Sequence, residues 1–229
     1  MEYVRRHISG SKNIDAPDLI DDDDRWFTWT HAPQGFEVFY YPSPVPAIGS
    51  LKLLENFSTL INGSYFSRME WGIYPSWLLS YNGQVYTEFI PDDKQLTHLF
   101  CREKDGRITL QKNSEYISEE DILARCNIAF QAGPLVYQKH NWSISEDLAP
   151  KTYIGSAHTR TVIVIFEKEN GEQDVWFLTA YAKMTLAQVR DAVLSETRFY
   201  GTYKNVSVLN LDGGSSVAYV SRKYPELNF

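Results

Sequence analysis

Short alternating or continuous apolar runs dominate this chain, and helical spacing is confined to two stretches. Residues 161–166 form a β-branched run that predicts a fully buried strand. Asn170-Gly171 favours a tight turn after it, and residues 175–178 return as a second strand. The sequence therefore predicts a hairpin over about residues 161–179.

Similar patterns predict strands through the rest of the chain. They are expected over residues 26–41, 60–61, 108–110, 127–137, 206–211 and 217–220, and residues 78–89 are expected to form a hairpin around Asn82-Gly83. Asn82-Gly83 and Asp105-Gly106 favour turns, and Gly133-Pro134 interrupts the strand expected over 127–137.

Two helices are predicted from capping residues. Ser118 precedes three acidic residues, which favours a short helix that ends near Arg125. Thr185 and Gln188 have the spacing of a capping box, and apolar residues on one face extend this second helix to about residue 194. We expect an α+β domain with a mixed or antiparallel sheet, a few flanking helices, and N-terminal strands that cover one sheet edge.

Composition limits the classes of function. The 229 residues carry a net charge of −7, which disfavours a broad nucleic-acid surface but allows a local anion site. Cys101 and Cys126 are too few for a disulfide scaffold, and either a disulfide or two reduced thiols fits them. Four consecutive aspartates at 21–24 lack the spacing of a calcium loop and are expected to be a solvated acidic loop.

No apolar segment follows the charged N-terminus, and no run of about 18 apolar residues exists. We therefore expect no membrane span. A cytoplasmic location is expected if the chain is complete, and a secreted one if a leader has been removed.

The most informative segment for chemistry is residues 209–216, where a strand ends in Asp212 and two glycines. Gly213 and Gly214 allow a sharp turn whose N–H groups can form an anion-binding nest, and Ser215 and Ser216 add hydroxyl donors. A carboxylate beside such a nest suggests a base, a nucleophile or a partner for an arginine. A plain β-turn with Asp212 as its Asx residue is an equally good interpretation.

Arg160 and His158 precede the buried strand at 161–166. A guanidinium at a strand end can bind a phosphate through two hydrogen bonds, and an imidazole can relay a proton near neutral pH. A surface arginine and a hydrogen-bonded structural histidine are the corresponding structural interpretations.

Five short motifs in order along residues 55–220 resemble those of the phosphodiester glycosidase family. They are Asn62-Gly63-Ser64-Tyr65-Phe66, Gln131-Ala132-Gly133-Pro134-Leu135-Val136, Arg160-Thr161-Val162-Ile163-Val164, Met184-Thr185-Leu186, and the segment from Leu209 to Ser216. Ser64, Val164 and Ser215 stand where the family pattern has glycine. The resemblance implies one domain over residues 1–229, with 1–50 as a divergent N-terminal extension.

The resemblance implies a hydrolase that cleaves a sugar from the phosphate on its anomeric carbon, with a small-molecule or glycan sugar-1-phosphodiester as substrate. It implies catalytic roles for Asp212, Arg160 and His158. The implied substrate-binding residues are Asn62, Tyr65, Gln131, Gly133, Gly213, Gly214, Ser215 and Ser216.

Two other functions remain consistent with these motifs: a module that binds a sugar phosphate or nucleotide without turnover, and a structural protein that uses the fold as a scaffold. We expect no cofactor. Oxygen ligands near Asp212 leave a divalent cation as an open alternative, because no ligand set can be identified from the sequence.

Overall fold

A computed structural model describes residues 3–7, 26–31, 59–61, 66–69, 72–75, 78–93, 96–115, 118–138, 141–142, 156–197, 203–213 and 219–221. The strands of these segments, in chain order, are β1 (Tyr3–His7), β2 (Trp26–His31), β3 (Thr59–Ile61), β4 (Phe66–Met69), β5 (Gly72–Pro75), β6 (Leu79–Tyr81), β7 (Gln84–Thr87), β8 (His98–Glu103), β9 (Ile108–Lys112), β10 (Cys126–Ala132), β11 (Leu135–Gln138), β12 (Asn141–Trp142), β13 (His158–Glu167), β14 (Gln173–Met184), β15 (Asn205–Gly213) and β16 (Tyr219–Ser221). The helices are α1 (Glu119–Arg125) and α2 (Leu186–Thr197), with a 3-10 turn at Asn113–Glu115.

Two antiparallel sheets dominate the described part of the chain. The first has seven strands in the order β1-β2-β14-β13-β15-β11-β12, and the second has five in the order β7-β6-β10-β8-β9. Two further pairs, β16 with β3 and β4 with β5, are also antiparallel. The expected α+β class is confirmed, and so are the N-terminal strands, because β1 and β2 extend the sheet beyond β14.

Alternate residues of the central strands face opposite sides of the seven-stranded sheet, and both sides are covered by other elements. On one face of the seven-stranded sheet, β13 places Val162, Val164 and Phe166 in a cluster with residues of α2 such as Val189. On the other face, Ile163 and its neighbours pack against the five-stranded sheet. The order of layers around these clusters is therefore α2, the seven-stranded sheet, the five-stranded sheet and α1.

The cluster between the sheets includes Phe100 and Phe130, whose stacked rings have centroids 4.6 Å apart. Gln173 also ties the layers together, because its amide accepts from the Ile108 N–H and donates to the Ile108 carbonyl, each at 2.8 Å. A glutamine side chain thus acts as a substitute for a neighbouring strand along the edge of β9.

The predicted caps and hairpin are confirmed. The Ser118 hydroxyl accepts from the Asp121 N–H at the start of α1. Thr185 and Gln188 form the reciprocal bonds of a capping box, at 2.9 and 3.2 Å, before α2. The hairpin expected at 161–179 is the pair β13 and β14, which is longer than predicted because both strands continue past the apolar run.

One expectation is corrected by the structure. The strand expected over 127–137 is two strands in different sheets, β10 and β11, because the chain changes sheet at Gly133-Pro134, where the peptide bond is cis and the glycine has φ 156°. The expected sheet core is present, and its strands are divided between two antiparallel sheets. Of the strand expected over 26–41, the part after His31 lies outside the described residues.

Cys101 on β8 and Cys126 at the start of β10 form a disulfide, with Cα atoms 5.5 Å apart. Both cysteines are buried on the face of the five-stranded sheet that packs against Ile122 of α1. Of the two alternatives that the sequence leaves open, the structure has the disulfide.

Candidate functional site

Arg160 lies where β13 meets the end of β15. Its partner across the pair is Gly213, while Val162, two residues further on, pairs with Asn210. β15 therefore carries one residue more than β13 over this stretch, which is a β-bulge, and Asp212 lies within it. Bulges re-aim side chains and are frequent beside active sites.

A second irregularity lies on the opposite side of the same arginine. His158 pairs with Met184 of β14, but Arg160 pairs with Ala180, so β14 carries two residues more than β13 here. The sheet is thus distorted on both sides of Arg160. Regular pairing with β14 continues from Arg160, and regular pairing with β15 continues from Val162, inside the apolar core.

The guanidinium of Arg160 is enclosed, since the residue is only 2% exposed. Its Nε donates to the Met184 carbonyl at 3.4 Å, and one Nη donates to the Ser156 carbonyl at 3.1 Å. The side chain of Ser156 also reaches His158, with 2.7 Å between Oγ and Nε2. Backbone carbonyls at two strand ends therefore fix the direction of the guanidinium, and the partly buried His158 lies beside it.

Asn210 joins two of the sequence motifs. It is fully buried, and its Nδ2 donates to the carbonyl of Gly133 at 3.0 Å and to that of Leu211 at 2.6 Å. Two backbone hydrogen bonds join the same two segments. Gly133 N–H donates to Asn210 O at 3.0 Å, and Asn210 N–H donates to Pro134 O at 3.2 Å. The turn at Gly133-Pro134 is therefore attached to β15 two residues before Asp212.

Gln131, predicted to bind substrate, has its side-chain amide directed at the backbone of the five-stranded sheet. Its Oε1 accepts from the N–H groups of Leu78 and Ile90 at 3.1 and 3.0 Å, and its Nε2 donates to Ile90 O at 2.7 Å. The residue is fully buried. These bonds hold the segment from Leu78 to Ile90 on β10, and a contact of Gln131 with substrate stays a prediction.

Five predicted site residues, Asn62, Tyr65, Gly214, Ser215 and Ser216, lie outside the described residues. The strands that border them are described. β3 ends at Ile61, one residue before Asn62, and β16 begins at Tyr219, three residues after Ser216. Ile61 pairs with Tyr219, so the chain brings the flanks of these two motifs together.

His98, at the start of β8, pairs with Ala132 at the end of β10 and so lies next to the turn at Gly133. Burial and, to a smaller extent, the nearby Lys112 ammonium together lower the pKa of this imidazole from 6.5 to about 4. Its Nδ1 lies 2.8 Å from the Thr97 hydroxyl. His98 is therefore neutral at pH 7 and adds no charge near the turn.

Sequence reasoning missed two residues of this arrangement. Asn210 lies inside the 209–216 segment, and a polar residue at a core position of a buried strand is a signal that it serves the site. Ser156, which contacts both Arg160 and His158, has no comparable signal, because it lies in a polar stretch before β13. Among the described residues no three His, Cys, Asp or Glu side chains gather as metal ligands.

The backbone pairing of β13 with β15 thus places the three predicted catalytic residues near one another in the fold. Arg160 pairs with Gly213, Asp212 precedes that partner, and His158 is two residues from Arg160. Val164, which stands where the family pattern has glycine, is fully buried in the cluster with α2. This difference from the family pattern therefore affects the core and not this end of the strand. No helix in the described segments has the length and apolarity to cross a membrane.

The sequence and the fold are similar to those of known proteins. A family model described as phosphodiester glycosidase matches residues 55–228. The catalytic domain of zebrafish N-acetylglucosamine-1-phosphodiester alpha-N-acetylglucosaminidase, auto-inhibited by its pro-peptide, is similar in fold, with a TM-score of 0.54 and 17% identity over 95% of this chain and 78% of that one. A hypothetical protein from Synechocystis has a TM-score of 0.52 and 11% identity over 95% of this chain and 57% of its own.

No curated protein sequence matches the chain. The two structural likenesses establish the fold alone, whereas the family model covers most of the sequence. The chain therefore belongs to the phosphodiester glycosidase family.

Proposed function

We propose that the chain is a hydrolase that cleaves a sugar from the phosphate on its anomeric carbon in a sugar-1-phosphodiester. The observation that carries the proposal is the buried guanidinium of Arg160, a residue whose backbone pairs with Gly213 directly after Asp212, in a member of this family. Such a site would offer a cation for a phosphate and a carboxylate for the sugar or the water, which are the two groups that this reaction requires.

Arg160 is the proposed phosphate ligand. The guanidinium is buried, and a low-dielectric surrounding strengthens its attraction for an anion. The phosphodiester of the substrate would supply a negative charge and accept two parallel hydrogen bonds from the guanidinium. The carbonyls of Met184 and Ser156 orient the guanidinium before the substrate arrives, which lowers the cost of binding.

Asp212 is the proposed base. In the reaction, the oxygen of water attacks C1, the bond between C1 and the phosphate oxygen breaks, and its electron pair leaves with the phosphate. The proton of the water passes to the Asp212 carboxylate, and the products are the free sugar and a phosphomonoester. A phosphate is a weak base, so the leaving group needs little protonation, and stabilisation of an oxocarbenium-like sugar is the larger demand.

The remaining predicted residues have supporting roles in this proposal. The Gly213 and Gly214 amides would bind the phosphate together with the hydroxyls of Ser215 and Ser216, and His158 would relay protons. The remaining substrate contacts would come from Asn62, Tyr65, Gln131 and Gly133. The pairing of Ile61 with Tyr219 supports this set, because it brings the flanks of the Asn62 and Ser216 motifs together.

Release of free sugar from a panel of sugar-1-phosphodiesters, including nucleotide sugars, tests the proposal. We expect turnover by the unmodified protein, and a loss of at least about a hundredfold in kcat for Asp212→Asn, since general base catalysis contributes on that order. Asp191→Asn is the matched control, because this carboxylate lies exposed on α2 beside Arg190.

Equal turnover by Asp212→Asn and the control would remove Asp212 from the mechanism. Binding of panel members without turnover by any variant would instead favour a module that binds sugar phosphates and does not cleave them. The same panel therefore separates the two functions.

The disulfide supports an oxidising compartment for this protein. Cys101 and Cys126 are buried at 0% and 2% exposure and are joined across two strands. Disulfides of this structural kind persist in secreted and extracytoplasmic proteins and are rare in reducing cytosol. Protein recovered from its native cells and denatured without reductant should resist a maleimide reagent, whereas two labelled cysteines would contradict this location.

A further inference from the structure

A cleft of about 330 Å³ lies at the far end of the five-stranded sheet, away from Arg160. The turn between β6 and β7, the turn between β8 and β9, and the start of β10 form its walls. The residues that line it include Tyr81, Asn82, Arg102, Lys104, Asp105 and Asn127. This volume is at the low end of the ~300–1,000 Å³ usual for small-molecule sites.

Backbone hydrogen bonds fix the walls of the cleft. Asn82 N–H donates to Asn127 O at 2.9 Å, which joins the first turn to β10. Lys104 N–H donates to Arg125 O at 3.2 Å, which joins the second turn to the end of α1. Asn82 and Gly83 have φ of 50° and 80°, the conformation of a tight hairpin turn. A ligand would therefore meet walls that are formed before it binds, which reduces the ordering cost of binding.

The residues that line the cleft carry more positive than negative charges. Arg102 and Lys104 bring two cations, while Asp105 is the one carboxylate among the lining residues, and its Oδ1 accepts from the Arg107 N–H at 2.9 Å. The chain as a whole has a net charge of −7, so this excess of positive charge is local. An anion is the ligand that such a cleft favours.

The other lining groups suit a sugar. Asn82 and Asn127 are exposed amides, each able to donate and accept hydrogen bonds with hydroxyl groups. Tyr81 and Arg102 both pair with Ile128 of β10, so they lie on the two strands that flank it, about 10 Å apart across the sheet. An aromatic ring for the apolar face of a sugar and a guanidinium for its acid group thus lie on either side of one buried isoleucine.

We propose that this cleft binds an anionic sugar, one that bears a carboxylate, sulfate or phosphate group, at a site separate from the catalytic end. Ile128 and Gly133 are five residues apart along β10 and the turn after it, which is about 16 Å in an extended strand. The site does not require turnover at Arg160, and it would hold a charged unit of a larger glycan while another unit is cleaved.

Titration with glucuronic acid, observed through the amide signals of the two turns and the side-chain amides of Asn82 and Asn127 in NMR spectra, tests the proposal. We expect saturable shifts confined to these signals, with glucose and inorganic phosphate each binding at least about fivefold more weakly, since each lacks half of the recognised groups. Equal binding of inorganic phosphate would overturn the assignment to a sugar, and equal binding of glucose would overturn the preference for an anion.

Two variants sharpen the test. Lys104→Gln should weaken glucuronic acid binding about fivefold, as expected for one partly solvated charged contact, and Asn127→Asp should abolish the saturable shifts by adding a negative charge. Lys112→Gln, which changes another exposed lysine at the end of a hairpin strand, is the matched control and should leave binding unchanged. Folding is checked from the remaining amide signals, and unchanged binding in both cleft variants would overturn the proposal. Because the measurement is binding, failure here is separate from failure of the proposed hydrolase activity.

Discussion

Replacement of Asn210 by leucine should destabilise the fold and the candidate site together. Asn210 is fully buried and donates to the carbonyls of Gly133 and Leu211. Leucine has a similar volume but no donor, so two buried acceptors lose a hydrogen bond at a cost of roughly 1–3 kcal/mol each before relaxation. Since a carbonyl oxygen has two lone pairs and can find other donors, we expect a total loss of about 3 kcal/mol.

The expected shift in melting temperature follows from chain length. For 229 residues the entropy of unfolding is roughly 0.5 kcal/mol per degree, so a loss of about 3 kcal/mol lowers the melting temperature by about 6 °C. Differential scanning calorimetry of the wild type and Asn210→Leu measures this shift directly.

Asn205→Leu is the matched control, because Asn205 lies on the same strand but is only partly buried and donates to the Glu167 carboxylate at 3.2 Å. Its melting temperature should fall by no more than about 2 °C, as expected for one partly solvated hydrogen bond. An Asn210→Leu protein that melts no lower than Asn205→Leu would refute the reasoning that this side chain fastens the Gly133 turn to β15.

Three further outcomes are expected. Replacing Cys101 and Cys126 together by alanine opens a loop of 25 residues and should cost about 3.5 kcal/mol, measured by denaturant unfolding; a loss below about 1 kcal/mol would contradict the disulfide as a stabilising link. The pKa of His98 is lowered from 6.5 to about 4, so the folded state binds fewer protons than the unfolded state, and the contribution of His98 to stability is complete above pH 6.5 and declines as pH falls towards 4. Wild-type unfolding free energy should therefore fall between pH 7 and pH 4.5 by roughly 2–3 kcal/mol more than that of His98→Gln, and parallel profiles would contradict this. Gln173→Leu removes both bonds to Ile108, so the Ile108 amide should exchange its hydrogen faster by at least about fivefold, while unchanged exchange would show that β9 needs no tie to β14.

Local signals made part of the fold predictable. The start of α2 follows from Thr185 and Gln188, and the hairpin of β13 and β14 follows from an apolar run, an Asn-Gly turn and a second run. Each of these depends on residues that are close in sequence, where steric and hydrogen-bonding preferences decide the outcome.

The division of strands between two sheets could not be predicted in the same way. β10 and β11 are separated by two residues yet belong to different sheets, and their partners, such as β8 and β15, lie far away in the chain. Pairing over such distances depends on how whole faces pack, and the hydrophobic pattern of one strand does not specify its neighbour. The same reason explains why the sequence left the disulfide state open.

The candidate site was predictable in composition but not in geometry. Arg160 and the 209–216 segment are distinctive as motifs, whereas their pairing through Gly213 depends on a bulge in β15. The contacts of Arg160 with the carbonyls of Ser156 and Met184 also depend on strand ends that only the folded chain brings together.

Hydrolysis in water enriched in ¹⁸O tests the central claim most directly, because it reports which bond breaks. A sugar-1-phosphodiester that the panel identifies as a substrate is hydrolysed in this water, and the products are examined by ³¹P NMR and mass spectrometry. If Arg160 holds the phosphate while water attacks C1, the label appears in the sugar hydroxyl and is absent from the phosphomonoester. Label in the phosphomonoester would mean that water attacks phosphorus, and it would contradict the assignment of a glycosidase.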